Sequence, residues 1–393
     1  MTTPATSELR FVRSADVYKA GVHAGRLDRT NAGLVEFRYL EGYAAQPIAT
    51  TLPVNDEMVV APAGGVPAFF AGLLPEGHRL TVLKNAAKTS TSDELTLLMA
   101  VGADVPGDVQ VVPAGIEPAE PPSLAESLEP ADLDFRELAR AVDLHGLPGV
   151  QDKVSASILS APLSVAGGRY ILKLNSSEAA HLVLNEALHL DRARSLRLPV
   201  ARARVVTDHD DDTGLLVERC DRRFVDGRWV RLPLEDATQV MGLPPASKYT
   251  VTAEDAVIAL ARTCTAPLVA TRNLFIQFLF AWLTGNGDLH AKNISVLSDR
   301  TGTTVAPMYD IPCTVLYRDT SLALSITGRT TDIRARHWLE FAESIGLPAR
   351  AAASASALAL KAALTVDLGE LPFDGSVLRG AQRELRFRRA ELA

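Results

Sequence analysis

The sequence predicts an α+β protein in which a small α+β unit precedes a two-lobed body, β-rich in its first lobe and mainly α-helical in its second. Three observations carry that expectation. An acidic stretch from Val105 to Asp132 holds prolines at 106, 113, 118, 121, 122 and 130 and divides the chain. Before it, short apolar runs separated by glycines give way to two helical segments. After it, strands and one long helix come first, and the helical periodicities crowd in beyond residue 235.

The elements follow in order. In the N-terminal unit, Ala15–Ala20, Val22–Leu27 and Leu34–Leu40 are short strand-like runs bounded by turns. PAFFAGLLPEGHRLTVL then feeds a helix whose first turn tolerates Pro75 and favours Glu76 at its positive end. A second helix over Asp93–Val101 ends at Gly102. In the body, Val154–Leu159 and Arg169–Leu174 make a hairpin, and a helix from about Glu178 to Leu196 repeats Ala180, Val183, Ala187 and Leu190 before Pro199 stops it. Strands at Ala203–Thr207 and Leu215–Arg219 come next. Helices follow at 235–241, 252–265 and 268–284, then a β-rich stretch at 294–326, then helices at 332–345, 347–364 and 376–391. The implied division is 1–104 for the N-terminal subdomain, 105–131 for a linker and 132–393 for the body, with the lobes meeting near residue 235. A β-rich lobe with one long helix, followed by a helical lobe, is the order of a two-lobed kinase.

Composition narrows the function classes. The 393 residues are 47% hydrophobic and 22% charged, which fits a globular protein with a substantial core. The net charge of −7 argues against gripping nucleic acid by bulk electrostatics. Cys220, Cys264 and Cys313 form no C-x-x-C pair, which argues against a zinc ribbon and suits a reducing cytoplasm. No signal peptide is visible, and the apolar run Leu274–Leu283 is about half a membrane span and contains Gln277. No membrane association is expected.

The most informative stretch is FLFAWLTGNGDLHAKNISVL, residues 278–297. Polar, titratable groups lie there between two apolar elements, and burying such groups without partners is costly. Asp288-x-x-x-x-Asn293 has the spacing phosphoryl transfer uses: a carboxylate to accept the acceptor proton and an amide oxygen to hold Mg²⁺. Of eight asparagines only Asn293 has such an Asp, although chance supplies the spacing in about one of two such chains. A polar helix-to-strand turn suits the same residues. Asp310, in VAPMYDIPC, ends an apolar run, where a second metal carboxylate would sit; its flanks are not D-F-G. Lys173, in YILKL, places one lysine in an apolar strand, with Glu186 and Glu178 as competing partners. An edge-strand lysine is the alternative reading. Gly146-Leu-Pro-Gly149-Val150-Gln151-Asp152-Lys153 is a tight loop able to cradle phosphates, and Leu216–Arg223 is a strand ending in charges, either an adenine-binding hinge at Glu218 and Cys220 or a salt-bridged hairpin end. Arg192, Arg194, Arg197, Arg202 and Arg204 read as a solvated basic face.

Taken in order, FFAGLLPEGHR, GLPGVQDK, YILKL, ERCDRR, ATQVMGLPPASKY, NGDLHAKNISV and MYDIP make the sequence resemble the HipA family of bacterial toxin kinases over nearly its whole length. The resemblance implies a protein-kinase-like body behind a HipA-type N-terminal subdomain, and ATP- and Mg²⁺-dependent phosphorylation of serine or threonine on a protein. It implies that Asp288 orients or deprotonates the acceptor hydroxyl and that Asn293 and Asp310 hold Mg²⁺. It also implies that Lys173 binds phosphate, that Gly149, Val150, Gln151, Asp152 and Lys153 cover the nucleotide, that Glu218 and Cys220 frame adenine and that His290 lies beside the phosphates. The implied role is the toxin of a type II toxin–antitoxin system that arrests growth by modifying an aminoacyl-tRNA synthetase such as the glutamyl enzyme. The implied partner is a HipB-like helix-turn-helix antitoxin, which alone brings the complex to operator DNA. Two departures stand out. Gly146 occupies the position of a loop serine whose autophosphorylation inactivates many members, and Cys220 stands where the hinge is often aromatic. Small-molecule phosphotransfer, and a catalytically weak co-repressor, remain the alternatives.

Overall fold

The computed structural model describes residues 4–119, 129, 133–135, 159–165, 168–175 and 179–393. Its N-terminal unit is an antiparallel sheet ordered β4-β3-β2-β1-β5, from β1 (Ser14–Lys19), β2 (Val22–Arg29), β3 (Val35–Tyr39), β4 (Val59–Ala61) and β5 (Val109–Pro113). Helices α1 (Ala68–Gly72), α2 (Gly77–Ala87) and α3 (Glu94–Val101) complete it. Leu27, Phe37, Phe70, Leu95, Leu98 and Val111 are all at most 1% exposed and form its core.

Two expectations change here. The linker expected from Val105 gives up Val109–Pro113, which pairs with β1 from Lys19 to Ala15 and is buried throughout. The apolar VQVV run follows Pro106 and continues into Pro113, which is the last residue of the strand and pairs with Ala15. Pro75 also lies outside the helix it was expected to open: Glu76 is the N-cap residue, and α2 starts at Gly77.

In the body, β6 (Leu159–Val165), β7 (Gly168–Leu174), β8 (Ala203–Thr207) and β9 (Thr213–Glu218) form a sheet ordered β6-β7-β9-β8, backed by α4 (Leu182–Ala193). Of the first hairpin strand expected over Val154–Leu159, all but Leu159 lies outside the described residues. The register of the hairpin runs from Leu159↔Leu174 to Val165↔Gly168, and among the described residues β6 is the last strand on its side of the sheet. A ribbon follows, β10 (Arg222–Val225) with β11 (Arg228–Arg231).

The second lobe contains β12 (Leu234–Asp236), α5 (Ala237–Val240), α6 (Ala253–Thr263) and α7 (Pro267–Thr284). Then come β13 (Ser295–Asp299), β14 (Gly302–Val305), α8 (Ala335–Ser344), α9 (Ala349–Ala363) and α10 (Gly375–Ala390). Only β13 and β14 are strands in the stretch expected to be β-rich; much of the remainder is turns and one 3₁₀ segment. Helix α7 is buried at every position from Leu274 to Thr284, as a helix apolar on all sides must be. Phe275, Phe278 and Trp282 pack their rings against Trp338 and Phe341, each such burial contributing about 1.5–3 kcal/mol. The segment Ala349–Glu370 is long and apolar enough to cross a membrane by length and composition, a test that core helices also pass. Here Ala352, Ala355, Ala359, Ala362 and Ala363 are buried in the main core.

Candidate active site

Strand β7 lies between β6 and β9, and both of its faces are covered at this point: Leu172 is 1% exposed on one and Lys173 8% on the other. A lysine so placed needs partners. It has two. Its Nζ donates to both oxygens of Glu186, each at 2.8 Å, and to Oδ1 of Asp310 at 2.8 Å. Glu186 is fully buried on α4, so the sequence ambiguity resolves in its favour among the described residues; Glu178 lies outside them. Burial works against the Lys173 ammonium, but Asp310 and Glu186 outweigh it and hold its pKa above the usual lysine range. Burial likewise pushes the Asp310 carboxyl up, yet Lys173, His290 and a hydrogen bond from Asn293 hold it below the usual carboxylate range.

Asp288 and Asn293 reach the same place from α7. Gly285 ends that helix at φ +77°, and a Cβ there would stand 2.8 Å from Val315 Cγ2, so the turn requires glycine. Gly287 N–H then donates to Thr314 Oγ1 at 2.8 Å and Asp288 N–H to Asn286 Oδ1 at 2.8 Å, which fixes the loop. Asp288 is 1% exposed, and its Oδ1 accepts from the Tyr249 hydroxyl at 3.1 Å. Asn293, in a 3₁₀ turn, donates from Nδ2 to the Asp288 carbonyl at 2.9 Å. Between them His290 is 6% exposed, edge-on to the Tyr249 ring with centroids 5.0 Å apart. Burial, with Lys248 adding to it, lowers its pKa to about 4, so it is neutral at pH 7.

The structure therefore brings Lys173, Asp310 and Asn293 together, with His290 and Asp288 adjoining. An amide and a carboxylate are the hard oxygen donors that Mg²⁺ takes, one or two at a time beside phosphate oxygens. Among the described residues there is no group of three or more His, Cys, Asp or Glu side chains placed to hold a metal ion.

Glu218 ends β9 opposite Tyr170, its exposed carboxylate 4.0 Å from Arg202. The Cys220 thiol is pushed up to about 12 by burial and by Asp221. The charges around them turn to the N-terminal unit: Arg219, Arg222 and Arg231 all pair with Asp104, and Asp221 accepts from Gly107 N–H at 2.8 Å. The salt-bridged alternative thus describes Arg219, Asp221 and Arg222. Gly149, Val150, Gln151, Asp152 and Lys153, and Gly146, lie outside the described residues. A groove of about 430 Å³ is lined by Arg194, Leu198, Val200 and Arg202 and contains none of the expected site residues.

Sequence reasoning missed three contributors. Tyr249 and Lys292 stood inside segments already singled out, while Asn185 gave no signal beyond its place beside Glu186. The Asn185 amide donates to the Cys313 carbonyl at 2.9 Å and accepts from its N–H at 2.9 Å, joining α4 to the chain after Asp310.

Comparison with known proteins adds a second line of observation. The HipA N-terminal domain matches residues 15–112 and the HipA-like C-terminal domain residues 145–365. A putative kinase, Y4mE of Sinorhizobium fredii, is 30% identical over 370 residues, covering 86% of this chain and 87% of its own. The serine/threonine-protein kinase toxin HipA of Shewanella oneidensis is 26% identical across 77% of this chain and 76% of its own. The solved structure of Shewanella oneidensis HipA with HipB and operator DNA superposes with a TM-score of 0.76 at 22% identity, over 96% of both chains.

Proposed function

The chain belongs to the HipA family of serine/threonine-kinase toxins, and on that premise we propose that it transfers the γ-phosphoryl group of ATP, with Mg²⁺, to a serine or threonine of a protein. The observation that carries the reading is Lys173 held at 2.8 Å by both Glu186 and Asp310. It is the ion-paired lysine and metal carboxylate that kinase chemistry requires.

The residues act as follows. Asp288 accepts the proton of the acceptor hydroxyl as its oxygen forms a bond to the γ-phosphorus and the bond to the β–γ bridging oxygen breaks; ADP leaves with that electron pair. Tyr249 donates to Asp288 Oδ1 and so orients the carboxylate. Lys173 neutralises phosphate charge while Glu186 fixes its direction. Asn293 and Asp310 would hold Mg²⁺, which supplies charge neutralisation on the phosphates. Neutral His290 can donate one hydrogen bond to a phosphate oxygen. Glu218 and Cys220 would frame the adenine, with Gly149–Lys153 covering the nucleotide.

The family and the ordered N-terminal unit favour a protein acceptor over a small molecule. We assign the chain the toxin role in a type II pair in the cytoplasm, with an aminoacyl-tRNA synthetase such as the glutamyl enzyme as target. The solved relative is bound to HipB and operator DNA, which supports a HipB-like partner that makes the DNA contacts. A panel of purified synthetases with labelled ATP tests the target: label on one serine or threonine, with loss of aminoacylation, is expected. Label confined to small molecules would favour the phosphotransferase alternative.

A further inference from the structure

The lysine next to Asn293 does not point at the phosphates. Lys292 Nζ donates to the Gly72 carbonyl at 2.7 Å and lies 3.6 Å from Glu76 Oε1 and 3.6 Å from Asp236 Oδ2, its side chain 14% exposed. Gly72 is the last residue of α1 and Glu76 the N-cap residue of α2, both in the N-terminal unit. A helix C-terminus and a carboxylate together form a strong site for an ammonium. Glu76 is shared: Lys248 also donates to it, and the neighbouring Tyr249 donates to Asp288. The Lys292 carbonyl in turn accepts from the hydroxyl of Tyr309, the residue before Asp310, at 3.0 Å. The approach is tight, since a Cβ on Gly72 would fall 2.7 Å from Gln239 Cγ while Gln239 Nε2 donates to the Phe69 carbonyl at 3.0 Å.

We propose that Lys292 is a positioning residue that fastens the catalytic loop to the N-terminal unit, so that the phosphotransfer site is complete only when α1 and Glu76 are docked. Asn293 follows Lys292 in a single 3₁₀ turn, so a displaced Lys292 displaces an expected metal ligand with it. Misplacement by about 1 Å is enough to cost on the order of 10²-fold in rate. The N-terminal unit is then part of the enzyme's working geometry. The role rests on the kinase reading for its catalytic consequence, but the fastening itself does not.

The test uses the full chain with Lys292→Met, Lys292→Arg and Glu76→Gln. Hydrogen–deuterium exchange of the 286–294 segment reads the fastening directly, and kcat and KM for ATP read its consequence. Lys292→Met should raise exchange in that segment and lower kcat about 10²-fold with KM for ATP little changed. Lys292→Arg should restore most of both, and Glu76→Gln should fall between. Should Lys292→Met not fold, Glu76→Gln, of nearly equal size, carries the same comparison. Unchanged exchange in the variants, or an arginine no better than methionine, would overturn the proposal. A wild type that transfers no phosphate while exchange responds as stated would sink the kinase reading and leave the fastening in place.

Discussion

Lys173 on β7 donates a 2.8 Å hydrogen bond to Asp310 in the other lobe, 137 positions along the chain. With Glu186 on the same ammonium, one positive charge serves two carboxylates. The cluster is left with a net negative charge beside Asn293, a setting that suits a divalent cation.

Removing the cation should expose the cost of that arrangement. Glu186 is fully buried, and leaving such a group unpaired costs about 3–5 kcal/mol. Lys173→Met should therefore unfold at markedly lower urea, and adding Glu186→Leu should recover much of the loss. Neither protein should transfer phosphate. A single variant as stable as wild type would contradict the pairing.

Asp310→Asn keeps size and shape but removes the charge. The chain should fold and phosphoryl transfer should be lost, while Asp288→Asn should lower the rate by about 10²–10⁴-fold. Circular dichroism and initial rates at several Mg²⁺ concentrations check both; unchanged turnover in the two would sink the site assignment.

The Asn185 amide makes two bonds to the Cys313 backbone. Asn185→Leu leaves a buried N–H and C=O unpaired, at about 1–3 kcal/mol each. Asn185→Asp keeps the acceptor but sets a buried carboxyl oxygen against the Cys313 carbonyl, so it too should be destabilised at pH 7 and recover part of the loss as the carboxyl protonates at lower pH. Both variants should show lower denaturation midpoints than wild type at pH 7, and an unchanged midpoint for Asn185→Leu would contradict the two-bond account.

Two buried histidines set an acid limit. Burial lowers His189 and His290 to about 4. Below about pH 6.5 the unfolded chain takes up protons that the folded chain refuses, so stability falls as the pH drops from about 6.5 towards 4. The depressed Asp310 acts in the same direction, its contribution being lost as the pH falls through its folded pKa. His189→Gln should flatten the decline in urea midpoint between pH 7 and 5; a slope identical to wild type would contradict it.

Much of this was legible in the chain. Alternation, glycine turns and the Asp93 and Gly102 boundaries located the N-terminal strands and α3, because local chemistry decides them. The order of Lys173, Asp288, Asn293 and Asp310 was readable for the same reason: Lys173 stands in an apolar strand, Asp288 and Asn293 lie between two apolar elements and Asp310 ends an apolar run, so each is a polar exception that needs explaining. What stayed hidden depends on distant partners. Pairing Lys173 with Glu186 needed the approach of α4 to β7. Strand β5 became a strand through β1, far away in sequence, and Lys292 found Gly72 across 220 positions. The N-terminal anchor in Arg219, Asp221 and Arg222 was likewise invisible beside the hinge reading.

The central claim is that this site phosphorylates a protein, and labelled ATP with Mg²⁺ in a host cytosolic extract tests it most directly. Wild type should label one dominant protein on serine or threonine, and Asp288→Ala, folded to the same extent, should not. Equal labelling by both, or none by a well-folded wild type, would contradict the account.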